Sequence, residues 1–140
     1  MQVVLEMREN ELEQRQMEAA KIIAALKKQE GELQDIIDSQ VQNSNQMEYL
    51  HTLDALDIQQ LENHRVFGQK LVVDAINKER IIANTKTLLE RKQSEVREAH
   101  KKVEVLKKLK EKQEQEYYKS FLDAEMKEID DITSARHNFR

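Results

Sequence analysis

Residue types able to do chemistry are few in this chain, and their spacing keeps them apart. Glu48 and His51 form the one Glu-x-x-His spacing. On a helix such a pair can aim a carboxylate and an imidazole into a di-iron bundle core, but that centre needs a second pair and further inward glutamates. The sequence supplies neither. His64, His100 and His137 stand singly among polar neighbours. Ser39, Ser44, Ser94, Ser120 and Ser134 lie outside any nucleophile elbow, and no glycine-rich phosphate loop occurs. With no cysteine there is no disulfide, thiolate nucleophile or cysteine zinc site. The expectation is a chain that is not an enzyme and uses no cofactor and no metal.

The lysine cluster Lys101, Lys102, Lys107, Lys108, Lys110 and Lys112 raises a second chemistry, because cations that release counterions from phosphates bind nucleic acid. Glu104, Glu111, Glu114 and Glu116 interrupt or closely follow it. No aromatic is interleaved for base stacking, and the net charge is −4. A solvated helix face, or a patch that steers an acidic protein partner, fits better than nucleic acid.

These residues must be carried by helices. The chain has no proline, two glycines, 36% charged and 4% aromatic residues among 140, a composition suited to long helices and poor in strand formers. No run approaches the roughly 18 apolar residues of a membrane span, and no secretion signal opens the chain. A soluble, cytoplasmic protein without direct membrane insertion is expected.

Two ladders with a spacing of seven dominate the pattern. Leu5, Leu12, Ala19, Leu26, Leu33, Gln40 and Met47 form the first, and Leu61, Gly68, Ala75, Ile82, Leu89, Val96 and Val103 the second. A sustained repeat of seven keeps one helix face against a partner. Folding the chain about residue 54 sets Leu5 opposite Val103 and Met47 opposite Leu61. The fold class expected is therefore all-α, a long antiparallel two-helix coiled-coil hairpin forming a single domain over residues 1–140. Helix one spans about 2–49, the turn about 50–55 and helix two about 55–135, with Asp54 and Asp57 resembling a helix start. A competing turn lies in Gln42-Asn43-Ser44-Asn45-Gln46. Gln40 facing Gly68, with Gly31 in helix one, predicts a soft middle.

Helix two then outruns helix one by about thirty residues. This overhang carries Tyr117, Tyr118, Phe121, Leu122, Ala124, Met126, Ile129 and Ile132 at helical spacing. Large apolar side chains left in water mark a docking surface, for a different protein or a second copy. Nearer the turn, Val66, Phe67, Leu71, Val72, Val73, Ala75 and Ile76 exceed what one seam covers. Phe67 and Leu71, four apart, can form a surface ridge or thicken the core.

Three passages together resemble one family. Val3-Val4-Leu5-Glu6-Met7-Arg8-Glu9, Val105-Leu106-Lys107-Lys108-Leu109-Lys110-Glu111-Lys112 and Glu125-Met126-Lys127-Glu128-Ile129-Asp130-Asp131-Ile132 are similar, in order and separation, to the FliJ family of flagellar type III export. The resemblance implies a hairpin similar to the central stalk of rotary ATPases. Its ends dock at the pore of the hexameric flagellar export ATPase and promote its assembly and activity. It also implies contact with the cytoplasmic linker of the large export-gate membrane protein and with unloaded export chaperones, at the inner membrane of the flagellar base. By this resemblance Leu5, Met7, Tyr117, Tyr118, Phe121, Leu122, Met126, Ile129 and Ile132 form the ATPase-docking end. Phe67 and Leu71, with Ala75, form the gate-binding surface. The family's next two gate positions, a small residue and a histidine, fall on Asp74 and Lys78 and depart from the pattern. The alternatives are a homodimeric tethering coiled coil and the equivalent stalk of a virulence secretion system.

Overall fold

The computed structural model describes residues 1–138, in two α-helices, α1 (Gln2–His51) and α2 (Ile58–Asn138). They pack against each other as an antiparallel pair, and α2 is the longer. No strand occurs among the described residues. Glutamate, glutamine, lysine, leucine and alanine dominate both helices, and these residues lose little freedom in a helix.

The turn is made by side chains at helix ends, without glycine or proline. At the end of α1, both the backbone N–H and the hydroxyl of Thr52 donate to the Tyr49 carbonyl, at 3.0 and 2.6 Å. These bonds satisfy a carbonyl that the helix leaves open. At the start of α2, the Asp57 carboxylate accepts the Gln60 N–H at 3.1 Å, while the Asp57 carbonyl accepts the first helical bond from Leu61. The helix start expected at Asp54 therefore falls at Asp57, because that carboxylate is the one placed to cap. The polar stretch Gln42–Gln46 is helical throughout and makes no turn.

The molecule comprises two compact units, each containing a segment of both helices: Met1–Glu13 with Arg97–Arg140, and Gln14–Val96. In both, the ladder residues are buried or half-buried, among them Leu5, Ala19, Ile82 and Val103. A second row on each helix, displaced by three residues, is also withdrawn from solvent. On α1 it reads Arg8, Arg15, Ile22, Gln29, Ile36, Asn43 and Leu50; on α2, His64, Leu71, Lys78, Thr85, Lys92, Ala99 and Leu106. Eight of the fourteen residues in this row are polar. Its long side chains lay their alkyl stems along the apolar ladder and carry their charged heads to the edge.

In the unit Gln14–Val96 those heads are paired across the helices. Arg15 lies 3.3 Å from Glu18 and 3.6 Å from Glu95, and Lys92 lies 3.4 Å from each of the same two carboxylates. Lys78 reaches Glu32 at 2.8 Å. The Lys78 hydrogen bond, then its charge, hold the Glu32 carboxyl below its usual 4.5. At Glu18 partial burial pushes upward, but hydrogen bonds and charges from Lys92 and Arg15 prevail and the net shift is downward.

Near the turn the same row holds a polar latch. Asn43, only 6% exposed, donates from Nδ2 to the His64 carbonyl at 3.0 Å, and its Oδ1 lies 2.8 Å from His64 Nδ1. A Cβ on Gly68 would sit 3.0 Å from Asn43 Nδ2, whereas one on Gly31 would meet nothing within 4 Å. The expected soft layer at Gly68 is thus filled space: the missing side chain makes room for an asparagine held at both ends.

In the unit Met1–Glu13 with Arg97–Arg140, Leu5, Ala99 and Val103 are buried, Val103 at 2% exposure. Lys110 donates to Gln2 Oε1 at 2.5 Å, next to the first turn of α1. Beyond it α2 continues alone.

Candidate partner-docking surfaces

From Glu111 to His137 every residue of α2 is exposed. The large apolar ones among them are Tyr117 (77%), Tyr118, Phe121, Leu122, Met126, Ile129 and Ile132. On one unbroken helix Tyr118, Leu122, Ile129 and Ile132 fall along a single stripe, with Met126 beside it and Tyr117 and Phe121 on its flank. Glu125 lies within the stripe and Glu128 at its edge, whereas Asp123, Lys127, Asp130 and Asp131 fall on the other side of the helix. This surface offers apolar knobs with Glu125 among them.

Two N-terminal residues were expected to join it. Met7 is exposed, but Leu5 is buried in the helix-helix seam of the same unit, along with Val103 and Ala99. Leu5 therefore serves the pairing of the helices and offers no docking surface. On that unit a groove of about 320 Å³ is lined by Val4, Arg8, Glu98, Lys101, Lys102, Val105 and Leu106. Its floor is apolar and its rim carries three cations. Arg8 is paired with Glu11 at 3.0 Å and Lys101 with Glu98 at 3.5 Å.

The other expected surface lies near the turn, in the unit Gln14–Val96. Phe67 is 45% exposed and lines a recess of about 370 Å³ with Ser39, Gln42, Asn43, Gln46, Asn63 and His64. Leu71 is only 6% exposed and Ala75 is half-buried. The ridge expected from Phe67 and Leu71 is therefore divided: Leu71 occupies the second seam row, three residues past Gly68, and turns toward α1. Val66, Val72, Val73 and Ile76, close to Phe67 in sequence, are also exposed, but they point away from it around the helix.

The family model described as Flagellar FliJ protein matches residues 1–140, the whole chain. The chain belongs to the FliJ family. It is accordingly a stalk component of flagellar type III export. No curated protein and no solved structure gave a match.

Within the FliJ pattern, the departures at Asp74 and Lys78 have a structural reason. Lys78 is committed to Glu32 across the seam, and Asp74 is half-buried beside it in a recess shared with Glu32, Asp35 and Ile36. Lys78 thereby serves the pairing of the helices. His64, expected to stand alone, is instead half of the Asn43 latch. Displacing the ladders by three residues would have found it, since Asn43 and His64 both fall in the second rows. Glu48 and His51 are both exposed, and no group of three or more His, Cys, Asp or Glu side chains able to hold a metal occurs among the described residues. No described helix is long and apolar enough to cross a membrane.

Proposed function

We propose that this chain is a non-enzymatic regulator of the hexameric flagellar export ATPase, docking through the unpaired part of α2 together with Met7. The observation that supports this reading most is the uninterrupted exposure of Glu111–His137, with Tyr118, Leu122, Met126, Ile129 and Ile132 on it. A family whose members insert helical ends into a ring needs such an end. The chain acts without chemistry of its own by binding one nucleotide-dependent arrangement of the ATPase subunits more tightly than another, since only differential affinity shifts populations. Tyr117 and Phe121 supply contact area, and the acids set orientation.

A second surface, centred on Phe67 with Ala75 at its edge, meets the cytoplasmic linker of the export-gate protein, and the chain also engages unloaded export chaperones. Leu71 supports that surface by anchoring its turn of α2 against α1. The site of action is the cytoplasmic face of the inner membrane at the flagellar base.

Steady-state ATP hydrolysis by the cognate export ATPase tests the reading, with the full chain and with a version ending at Lys112. The shorter version keeps Lys110, the last residue bonded across to α1. The full chain should stimulate and the short one should not. Polar substitution of Tyr118, Leu122 and Ile129 together should abolish stimulation with helicity retained. Unchanged hydrolysis under conditions where the ATPase forms hexamers would overturn it.

A further inference from the structure

Along the overhang the acids are matched by cations on the same helix, with two exceptions. Glu111 has Lys107 and Lys108 three or four residues away, Glu114 has Lys110, and Glu116 has Lys112 and Lys119. Asp123 lies between Lys119 and Lys127, and Lys127 also serves Asp130 and Asp131. Opposite charges at that spacing are neighbours on the helix surface and stabilise it. Glu125 and Glu128 have no such cation. The neighbours of Glu125 at three and four residues are Phe121, Leu122, Glu128 and Ile129, so one of them repels it and the rest are apolar.

These two carboxylates are also the ones that share a side of the helix with the apolar stripe. At about 100° per residue, Glu125 points about 20° from Tyr118, between it and Ile132, and Glu128 points to the edge just beyond Phe121. The matched acids Asp123, Asp130 and Asp131 face at least about 120° away from Tyr118. Tyr118, Leu122, Ile129 and Ile132 are all exposed in the single chain. A partner that covers them takes Glu125 out of water with them. Burying a carboxylate without a counter-charge is unfavourable, and its own helix offers none.

We infer that the surface receiving the stripe is an apolar groove with a lysine or arginine set in it against Glu125, on the side toward Glu128. This rests on the docking proposed above: in the hexameric export ATPase a basic residue lies among apolar ones where α2 enters. Repulsion between Glu125 and Glu128, three residues apart, weakens the free helix slightly and is relieved when the cation arrives. The carboxylate also discriminates between partners. A purely apolar groove matches the stripe but leaves Glu125 buried and unpaired, so it is selected against.

Stimulation of the cognate export ATPase, titrated with the full chain, Glu125→Leu and Asp130→Lys, tests the inference. Leucine adds apolar surface and helix propensity, so a groove without a cation should take Glu125→Leu more tightly than the parent. A groove with a cation is left holding an unpaired charge, and the half-maximal concentration should rise at least about tenfold. Asp130→Lys makes a larger change in net charge on the other side of the helix and should stay within about twofold of the parent. Added salt should weaken the parent more than Glu125→Leu. Circular dichroism checks that the three chains are equally helical. A Glu125→Leu chain that acts at the parent's concentration or below it, or that is weakened as much by salt, would overturn the inference while the export reading stands. A parent chain that does not stimulate at all overturns the export reading and the inference with it. Dimers of the parent in sedimentation velocity that Glu125→Leu dissociates would give the stripe to a second copy and overturn its assignment to the ATPase.

Discussion

The two glycines of this chain should respond oppositely to the same substitution. Gly31→Ala gains the helix propensity of alanine, about 1 kcal/mol in a helix interior, and its new methyl group meets nothing within 4 Å. Gly68→Ala gains the same propensity, but its methyl group would lie 3.0 Å from Asn43 Nδ2. That amide has no free direction to retreat. It is buried, its Nδ2 bonds the His64 carbonyl at 3.0 Å, and its Oδ1 holds His64 Nδ1 at 2.8 Å. Swinging it away gives up both bonds, at about 0.5–1.5 kcal/mol each. The two substitutions should therefore differ by about 1–3 kcal/mol, Gly31→Ala stabilising and Gly68→Ala neutral to destabilising. Urea unfolding followed by helical circular dichroism reads the difference, provided the slope with denaturant is unchanged. In an Asn43→Ala background Gly68→Ala should become stabilising by about 1 kcal/mol, because the obstructing amide is gone. If Gly68→Ala were as stabilising as Gly31→Ala in the parent chain, the latch would be slack and the reason given for a glycine there would be wrong.

Acid should loosen the helix pairing through the cross-helix carboxylates. Glu32 and Glu18 are held below their usual 4.5 in the folded chain; the unfolded chain then binds more protons as pH falls past that value. Their stabilisation is present above 4.5 and is lost as pH drops through the depressed folded values. Glu32→Gln with Glu18→Gln should flatten the decline in thermal midpoint between neutral and acid pH, and an equally steep decline in that variant would assign the effect elsewhere. Near the turn, Leu71→Ala should cost about 2 kcal/mol or more by opening a cavity in the seam, whereas Phe67→Ala should change stability by less than about 1 kcal/mol. Binding to the purified gate linker should weaken in Phe67→Ala at unchanged helicity. A Leu71→Ala chain as stable as the parent would return Leu71 to the surface.

The apolar ladders were legible because hydrophobic periodicity survives any detail of packing: Leu5, Ala19, Ile82 and Val103 are buried where a repeat of seven places them. The second seam row was hidden for a physical reason. Arg15, Lys78 and Lys92 contribute alkyl stems to the seam and charged heads to its edge, and a pattern sought in apolar residues passes over them. The same blindness misplaced Leu71. A spacing of four from Phe67 describes a surface ridge and an edge of the seam equally well, and only the phase relative to Gly68 decides between them. Leu5 shows the converse, a ladder residue assigned to docking by resemblance although its row commits it to the seam. The turn needed the geometry as well, since Asp54 and Asp57 are alike in type and only Asp57 reaches a free N–H.

A seam whose second row is mostly polar sets how the unpaired part of α2 can work. An isolated helix is marginal in water unless local pairs support it. In the overhang Lys119, Asp123, Lys127 and Asp131 alternate in sign at a spacing of four, the arrangement in which neighbouring charges on a helix surface stabilise it. The seam spends its charges on register between α1 and α2, while the overhang uses its charges along a single helix. That difference lets the stripe from Tyr118 to Ile132 remain helical with no partner beside it. A partner that meets a helix already formed does not have to order its backbone on binding, so more of the contact energy of the aromatic and aliphatic side chains is retained as affinity.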